Sequence, residues 1–275
     1  MPAVNHLHLW ADRFFYVTPA IQSGLTARSS ATLLASASGR PFTLVSASGE
    51  ALRCTAALVA PNVARRLDAD GCGLLSLNID PASALCRSLS GLWRGDALVP
   101  LDARRFGQLR DGFEGVLHGQ LDDGAAHRLS SDMVHALLGR AAEQPGRPLD
   151  QRVSQVLRVL QSASGRGQVP LRDLAAQACL SPDRLTHLFH EQTGLSIKRY
   201  LLWAKIRRAV QLMVGQRPLT EIALEGGFAD AAHMSRTFHS HFGLPPSFLA
   251  DADQVRVRVD AHALCTWPAG HAADS

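Results

Sequence analysis

No apolar run in the sequence approaches the roughly 20 residues that a membrane-spanning helix needs, which excludes an integral membrane helix. Cysteine is sparse: Cys54, Cys72, Cys86, Cys179 and Cys265 are odd in number and contain no C-x-x-C pair. That pattern speaks against a disulfide framework or a zinc ribbon and fits a reducing compartment. The first fifteen residues carry His6, His8, Asp12 and Arg13 inside their apolar pattern, so the uninterrupted core of a signal peptide is missing and a cytoplasmic location is expected. Glycine-rich phosphate loops are lacking too, and no Ser-His-Asp or Cys-His arrangement has the local spacing of a hydrolase. The expectation is a protein that is not an enzyme and has no cofactor, no metal and no catalytic residues.

What is present is enough material for two cores, at 275 residues and 46% apolar composition. The formal charge of +4 conceals an asymmetry. Residues 151–250 hold 12 of the 28 Lys and Arg but only 6 of the 24 Asp and Glu, a net +6 against −2 for the rest. A local excess of this kind suits a polyanionic partner.

Residues 6–79 read as short strands (6–16, 31–37, 41–46, 51–59, 63–67 and 73–79) separated by turn chemistry such as Gly39-Arg40-Pro41, Ser48-Gly49-Glu50 and Asp70-Gly71. Strands at that spacing suggest a small barrel or sandwich. Helical patterns follow at 83–90, 104–118 and 131–143, before Gln144-Pro145-Gly146-Arg147-Pro148 breaks them. The fold class is therefore α+β: an N-terminal small β-barrel with accessory helices over 1–145, an all-α domain over 150–250, and a tail over 251–275. Asp150 can cap a helix running to about 162. In the tail, Val255-Arg256-Val257-Arg258-Val259 alternates as a strand would, able to add to the N-terminal sheet or to stay disordered.

The helical half writes one pattern twice. Leu174, Ala175, Cys179, Leu180, Leu185, Leu188, Phe189 and Gly194 are answered by Ile222, Ala223, Gly227, Phe228, Met234, Thr237, Phe238 and Gly243, offset by 48 residues and then 49. Each copy is a short apolar helix, a tight turn and a second helix with apolar residues at i, i+3 and i+4, the pattern of a helix-turn-helix. A long helix over 196–214 separates the two as a rigid spacer. The second helix of each unit must bury one face and leave reading groups on the other. In the first unit that leaves Asp183, Thr186, His187 and His190 facing bases; in the second, Ala231, Ala232, Ser235, Arg236 and His239. Arg236 is the best guanine reader, through its two-pronged donor geometry. Ser181, Arg184, Ser196, Lys198 and Arg217 are the phosphate candidates, where helix N-termini and cations meet the strands.

These residues resemble the AraC/XylS family of bacterial transcription regulators. The resemblance covers roughly residues 150–250 and rests on Leu174-Ala175, Leu180-Ser181-Pro182, Leu185-x-x-Leu188-Phe189, Gly194-x-Ser196, Tyr200, Ala209 and Leu212. In the second half it rests on Ile222-Ala223, Gly227-Phe228-Ala229-Asp230, Met234-Ser235-Arg236-Thr237-Phe238, Phe242-Gly243 and Pro245-Pro246. It implies a sequence-specific DNA-binding regulator whose partners are promoter or operator duplex, a small-molecule effector, a second copy of the chain and RNA polymerase. The sequence departs from the family at three places. His187 and Lys205 stand where the family commonly has Arg, and Cys179 occupies a turn that calls for positive φ. More loosely, Leu58-Val59-Ala60-Pro61-Asn62 and Leu77-Asn78-Ile79-Asp80-Pro81 look like the cupin-type sensor found upstream of such modules. His8, Arg28, Ser29 and Ser30 are its candidate effector anchors. Residues 27–30 and 63–66 supply none of the histidines that a metal cupin needs. A metal-dependent cupin enzyme localised by a DNA-binding half is the alternative reading. The accessory helices are expected to pair with their counterparts in a second chain.

Overall fold

A computed structural model of the chain describes residues 5–93, 98–139, 148–163, 169–215 and 217–260. Residues 144–147 of the expected break, residues 140–143 at the end of the expected third helix, Cys265 and the tail beyond Asp260 lie outside the described residues.

The N-terminal half stacks two sheets. One has seven strands in the order β10-β7-β4-β9-β2-β1-β11, the other four in the order β3-β8-β5-β6. The strands are β1 (Asn5–Leu9), β2 (Arg13–Thr18), β3 (Ile21–Ala27), β4 (Ala31–Ser36), β5 (Phe42–Ser46), β6 (Ala51–Cys54), β7 (Ala56–Val59), β8 (Ala64–Ala69), β9 (Leu74–Ile79), β10 (Leu98–Pro100) and β11 (Val255–Val259). The sheets leave open edges, so the expected barrel is a cupin-like sandwich rather than a closed ring. The expected strand over 6–16 is a hairpin, because Trp10 N donates to Arg13 O at 3.0 Å in a tight turn between β1 and β2.

Strands β1, β2, β4, β7 and β9 are buried at every position. Alternation divides their side chains between two cores. Leu7, Phe14, Tyr16 and Leu34 meet Phe42, Leu44 and Leu67 of the small sheet, whereas Phe15, Val17, Leu33 and Leu77 face helices on the outer side. Those helices are α1 (Ala84–Leu89), α2 (Arg110–Leu117) and α3 (Asp123–Leu138), with a 3-10 segment before α2. Their apolar stripe, including Phe106, Phe113, Val116, Met133 and Val134, covers the large sheet of the same chain. It is therefore not the free surface for a second copy that its amphipathicity suggested. Helix α3 starts eight residues earlier than the pattern indicated, because Asp122 caps it by accepting Ala125 N at 2.7 Å. Ser130 and Ser131, within the helix, accept hydrogen bonds from the buried Arg13.

The helical half contains α4 (Gln151–Ala163), α5 (Leu171–Gln177), α6 (Pro182–Thr193), α7 (Ile197–Met213), α8 (Leu219–Glu225), α9 (Ala231–Phe242) and α10 (Pro246–Ala250). Its apolar core is continuous with the sandwich interior. Trp203 of α7 packs edge-on against Phe14 and donates to the buried Asp80, and Arg207 donates to the carbonyls of Trp10 and Ala11 at 2.6 and 3.0 Å. After α10 the chain returns as β11, parallel to β1, with Val255 opposite Asn5. The helical half is thus held by packing through α7 and by a strand at its end.

Candidate nucleic-acid interface and effector cavity

The duplication read from sequence is a duplication of geometry. Helices α5 and α8 are seven residues each, and α6 and α9 twelve. In the first turn Leu180 N donates to Ala175 O at 2.9 Å, and in the second Phe228 N donates to Ala223 O at the same distance. Ser181 and Asp230 cap the second helices by accepting Arg184 N and His233 N. Gly194 and Gly243 close them in left-handed conformation at φ 69° and 74°. The turn residue is at φ 82° in Gly227 and φ 52° in Cys179, so the non-glycine residue does adopt the left-handed backbone that its position requires.

The buried faces of α6 and α9 consist of Leu185, Leu188 and Phe189, and of Met234, Thr237 and Phe238. On the opposite face Asp183, Thr186, His187 and His190 are exposed, as are Ala232, Arg236 and His239, while Ala231 and Ser235 are half-buried. Thr186 donates to Pro182 O at 2.9 Å, which leaves its oxygen lone pairs outward. Between the two units α7 runs 17 residues, about 25 Å at 1.5 Å per residue.

Around these helices Arg184 and Lys198 are exposed near the starts of α6 and α7, and Ser181 and Ser196 serve as their caps. Arg199, beside Lys198, is a further exposed cation that the sequence reading passed over. Arg217 is differently placed: Glu225 accepts from it twice at 2.6 Å and Glu221 once at 3.2 Å. The two carboxylates offset its charge, which weakens it as a phosphate contact.

The anchors expected in the N-terminal half separate. His8 lies on the outer face of β1, bonded through Nδ1 to Asp123 at 2.8 Å and stacked on Trp10, away from the sandwich interior. It does not line the cavity between the two halves; the alternation of β1 sends Leu7 inward and His8 outward. Among the described residues, no group of three or more His, Cys, Asp or Glu is placed to hold a metal. Arg28, by contrast, is fully enclosed. Its Nη1 donates to Ser76 Oγ at 3.0 Å and Asn78 Oδ1 at 2.7 Å, and its buried Nε has no hydrogen-bond partner. Ser30 and Thr32 also point hydroxyls at Asn78 Oδ1. A second buried arginine, Arg65, lies close enough to repel it, and no ion pair involves either guanidinium among the described residues. Burial lowers the pKa of Arg28 to about 10, and that of Arg65 well below its usual value. Arg28 stays cationic at neutral pH, in a place where an unpaired charge is costly.

Arg28 borders a cavity lined by Leu7, Phe14, Tyr16 and Ile21 from the sandwich and by Val210, Phe242, Leu244 and Leu249 from the helical half. The cavity itself is small, about 30 Å³. Ser29 N donates to His241 Nε2 at 3.2 Å, and the Arg28 guanidinium lies 5.7 Å from the centre of the Phe242 ring. His241 is held neutral: burial first, then Arg28, Arg65 and Arg199, bring its pKa to about 3. The sequence offered no sign of Arg65 or His241. Arg207 did leave one, because it shares a helical stripe with Trp203, Ile206 and Val210.

Comparison with protein-family models matches residues 174–251 to a helix-turn-helix domain. The arabinose operon regulatory protein of Escherichia coli strain K12 is 28% identical over 163 residues, 58% of this chain and 54% of that protein. The Msm operon regulatory protein of Streptococcus mutans is 32% identical over 96 residues, 34% of either chain. The chain spans about half the length of the arabinose regulators it matches. Among solved structures, ToxT of Vibrio cholerae aligns over 86% of this chain and 97% of its own, with a TM-score of 0.55 at 13% identity. An unsaturated fatty acid-bound form of ToxT aligns over 86% and 95%, with a TM-score of 0.51 at 15% identity. That likeness shows a shared fold across both halves. With its duplicated helix-turn-helix units, the chain is similar through residues 174–251 to a helix-turn-helix family model and, over about half of their length, to the arabinose operon regulatory proteins.

Proposed function

We propose that this protein is a sequence-specific transcription regulator: α6 and α9 read operator DNA, and the sandwich domain controls them in response to a small molecule. The observation that carries the reading is the pair of equivalent helices with polar or small groups outward, in the segment of net charge +6. Two readers on one rigid helix suit successive major grooves on one face of the duplex. Asp183, Thr186, His187 and His190 address one groove, and Ala231, Ala232, Ser235, Arg236 and His239 the next. Ser181, Arg184, Ser196 and Lys198 address phosphates, with Arg199 added.

Selection of sites from random duplex by the full chain is the test. The expected outcome is two blocks of base preference about 10 base pairs apart. Arg236→Ala then weakens the selected site by about 1–3 kcal/mol and relaxes one position. Equal binding to selected and scrambled duplex overturns the reading.

For the effector, the buried Arg28, without a carboxylate partner at an apolar cavity, favours an anionic molecule with an apolar body, and ToxT has been solved with an unsaturated fatty acid. Arg28, Ser29 and Ser30 are the anchors of that proposal. Decanoate is expected to raise the melting temperature of the wild-type protein, whereas decylamine, which Arg28 repels, does not; Arg28→Met abolishes the decanoate shift. A homodimer belongs to the same proposal and is checked by sedimentation. With the stripes of α2 and α3 covered, it would use their polar outer faces or a strand edge. RNA polymerase is the partner that an activator would recruit. No helix among the described residues is long and apolar enough to cross a membrane.

A further inference from the structure

The cavity shares its wall with one reading helix only. Phe242, the last residue of α9, lines it beside Arg28, and the preceding residue, His241, accepts the backbone N–H of Ser29. Gly243 closes α9 so near to β3 that a Cβ there would stand 2.8 Å from Ser23 Cβ. The end of α9 is thus seated on the sandwich, with Thr237 and His241 buried while Ala232, Arg236 and His239 of the same helix are exposed. Helix α6 contributes nothing to the cavity. In this closed arrangement the cavity has room for about two water molecules, so an occupant of any size must push a wall aside. The strands behind Leu7, Phe14, Tyr16 and Asn78 are interior strands of a hydrogen-bonded sheet, whereas Phe242 sits at a helix end.

We infer that His241 and Phe242 are positioning residues for α9: they seat the second reading helix on the sensor domain, and a molecule entering beside Arg28 unseats it by displacing Phe242. This rests on the effector reading above only for its ligand. The seating itself is a property of the free protein. A helix that has lost its seat keeps its reading face but not its aim, so the second operator half-site is weakened and the first is not.

The test uses the full chain and the operator selected above, with melting curves to verify folding. Without ligand, His241→Phe, which cannot accept from Ser29, lowers affinity for the operator by about ten-fold, and the loss maps to base pairs read by α9. His241→Gln, which restores an acceptor, recovers most of it. Should His241→Phe fail to fold, Phe242→Leu carries the same arm, with a loss of about three-fold at the same half-site. Unchanged affinity in the folded variant, or a loss spread evenly over both half-sites, overturns the inference. In the ligand arm, decanoate weakens the wild-type complex at the second half-site. Phe242→Leu, with room already made, still binds decanoate but no longer responds to it. Decanoate that binds through Arg28 and weakens the Phe242→Leu complex as much as the wild type overturns the coupling and leaves the effector reading standing. Failure of decanoate to bind at all removes that effector class, and the ligand-free arm then decides.

Discussion

At the residue scale the two turns make an internal control. Gly227 and Cys179 occupy one geometry, but only the second carries a Cβ into the left-handed region, which costs roughly 1 kcal/mol. Cys179→Gly is therefore expected to raise the urea midpoint by the equivalent of about 0.5–1 kcal/mol while leaving operator affinity unchanged; a lower midpoint would show that the turn is not strained. His241 makes a second prediction. Its pKa is about 3 in the folded chain against 6.5 unfolded, so between those values the unfolded chain binds the proton and the folded one does not. Its contribution is complete above pH 6.5 and falls on acidification, by at most about 1.4 kcal/mol per pH unit, until about pH 3. His6, lowered to about 4 chiefly by burial, has the same sign; Asp80, raised to about 6 by burial, has the opposite one and offsets part of the loss between pH 6 and 3.8. Urea titrations of wild type and His241→Gln across pH 7 to 4 should show their stability difference shrinking as the pH falls. A constant difference would mean that the imidazole is not kept neutral.

At the scale of elements, what was legible is what is written locally. Helices α6 and α9 announce themselves by apolar residues at i, i+3 and i+4, by Ser181 and Asp230 before them and by glycine after them. Asp230 accepts His233 N at 2.6 Å, and its replacement by Ala is expected to cost about 1 kcal/mol of stability. Because the cap also sets the start of the reading helix, Asp230→Ala should blunt base preference near Ala231 and Ala232 before it affects the first half-site, which base-by-base binding measurements resolve. Among the strands, β4, β5 and β9 lie within expected spans, whereas 6–16 and 51–59 each hold two strands, and β3 went unseen because Gln22, Ser23, Gly24 and Leu25 are exposed or half-buried without a clean period. The same limit hid the cavity. Arg28 was picked out for its polarity, but its companions Arg65, His241 and Phe242 come from strands and helices up to about two hundred residues away, brought together only by packing.

At the scale of the molecule, the deciding fact is that one apolar core runs from the sandwich into the helices. Domains joined by small polar interfaces move and melt separately. Here Trp203 is wholly buried between the halves, Arg207 reaches across to two backbone carbonyls, and β11 closes the circuit by pairing with β1. The halves are therefore expected to unfold together, as a single calorimetric transition whose van't Hoff and measured enthalpies agree. Asp80 is the point at which this coupling can be cut. It is fully buried, accepts from Trp203, and its charge opposes that of Arg207, which carries a guanidinium into the same interior. Removing the carboxylate leaves Arg207 enclosed without that counter-charge, a loss of roughly 3–5 kcal/mol for buried charges of this kind. Because the loss falls on the interface rather than on either core, Asp80→Ala should divide the single transition in two, with the helical half melting first and tryptophan fluorescence leading the loss of sheet signal. If Asp80→Ala merely lowers one undivided transition, the halves are bound through the apolar core and β11 alone, and α7 is not what joins reader to sensor.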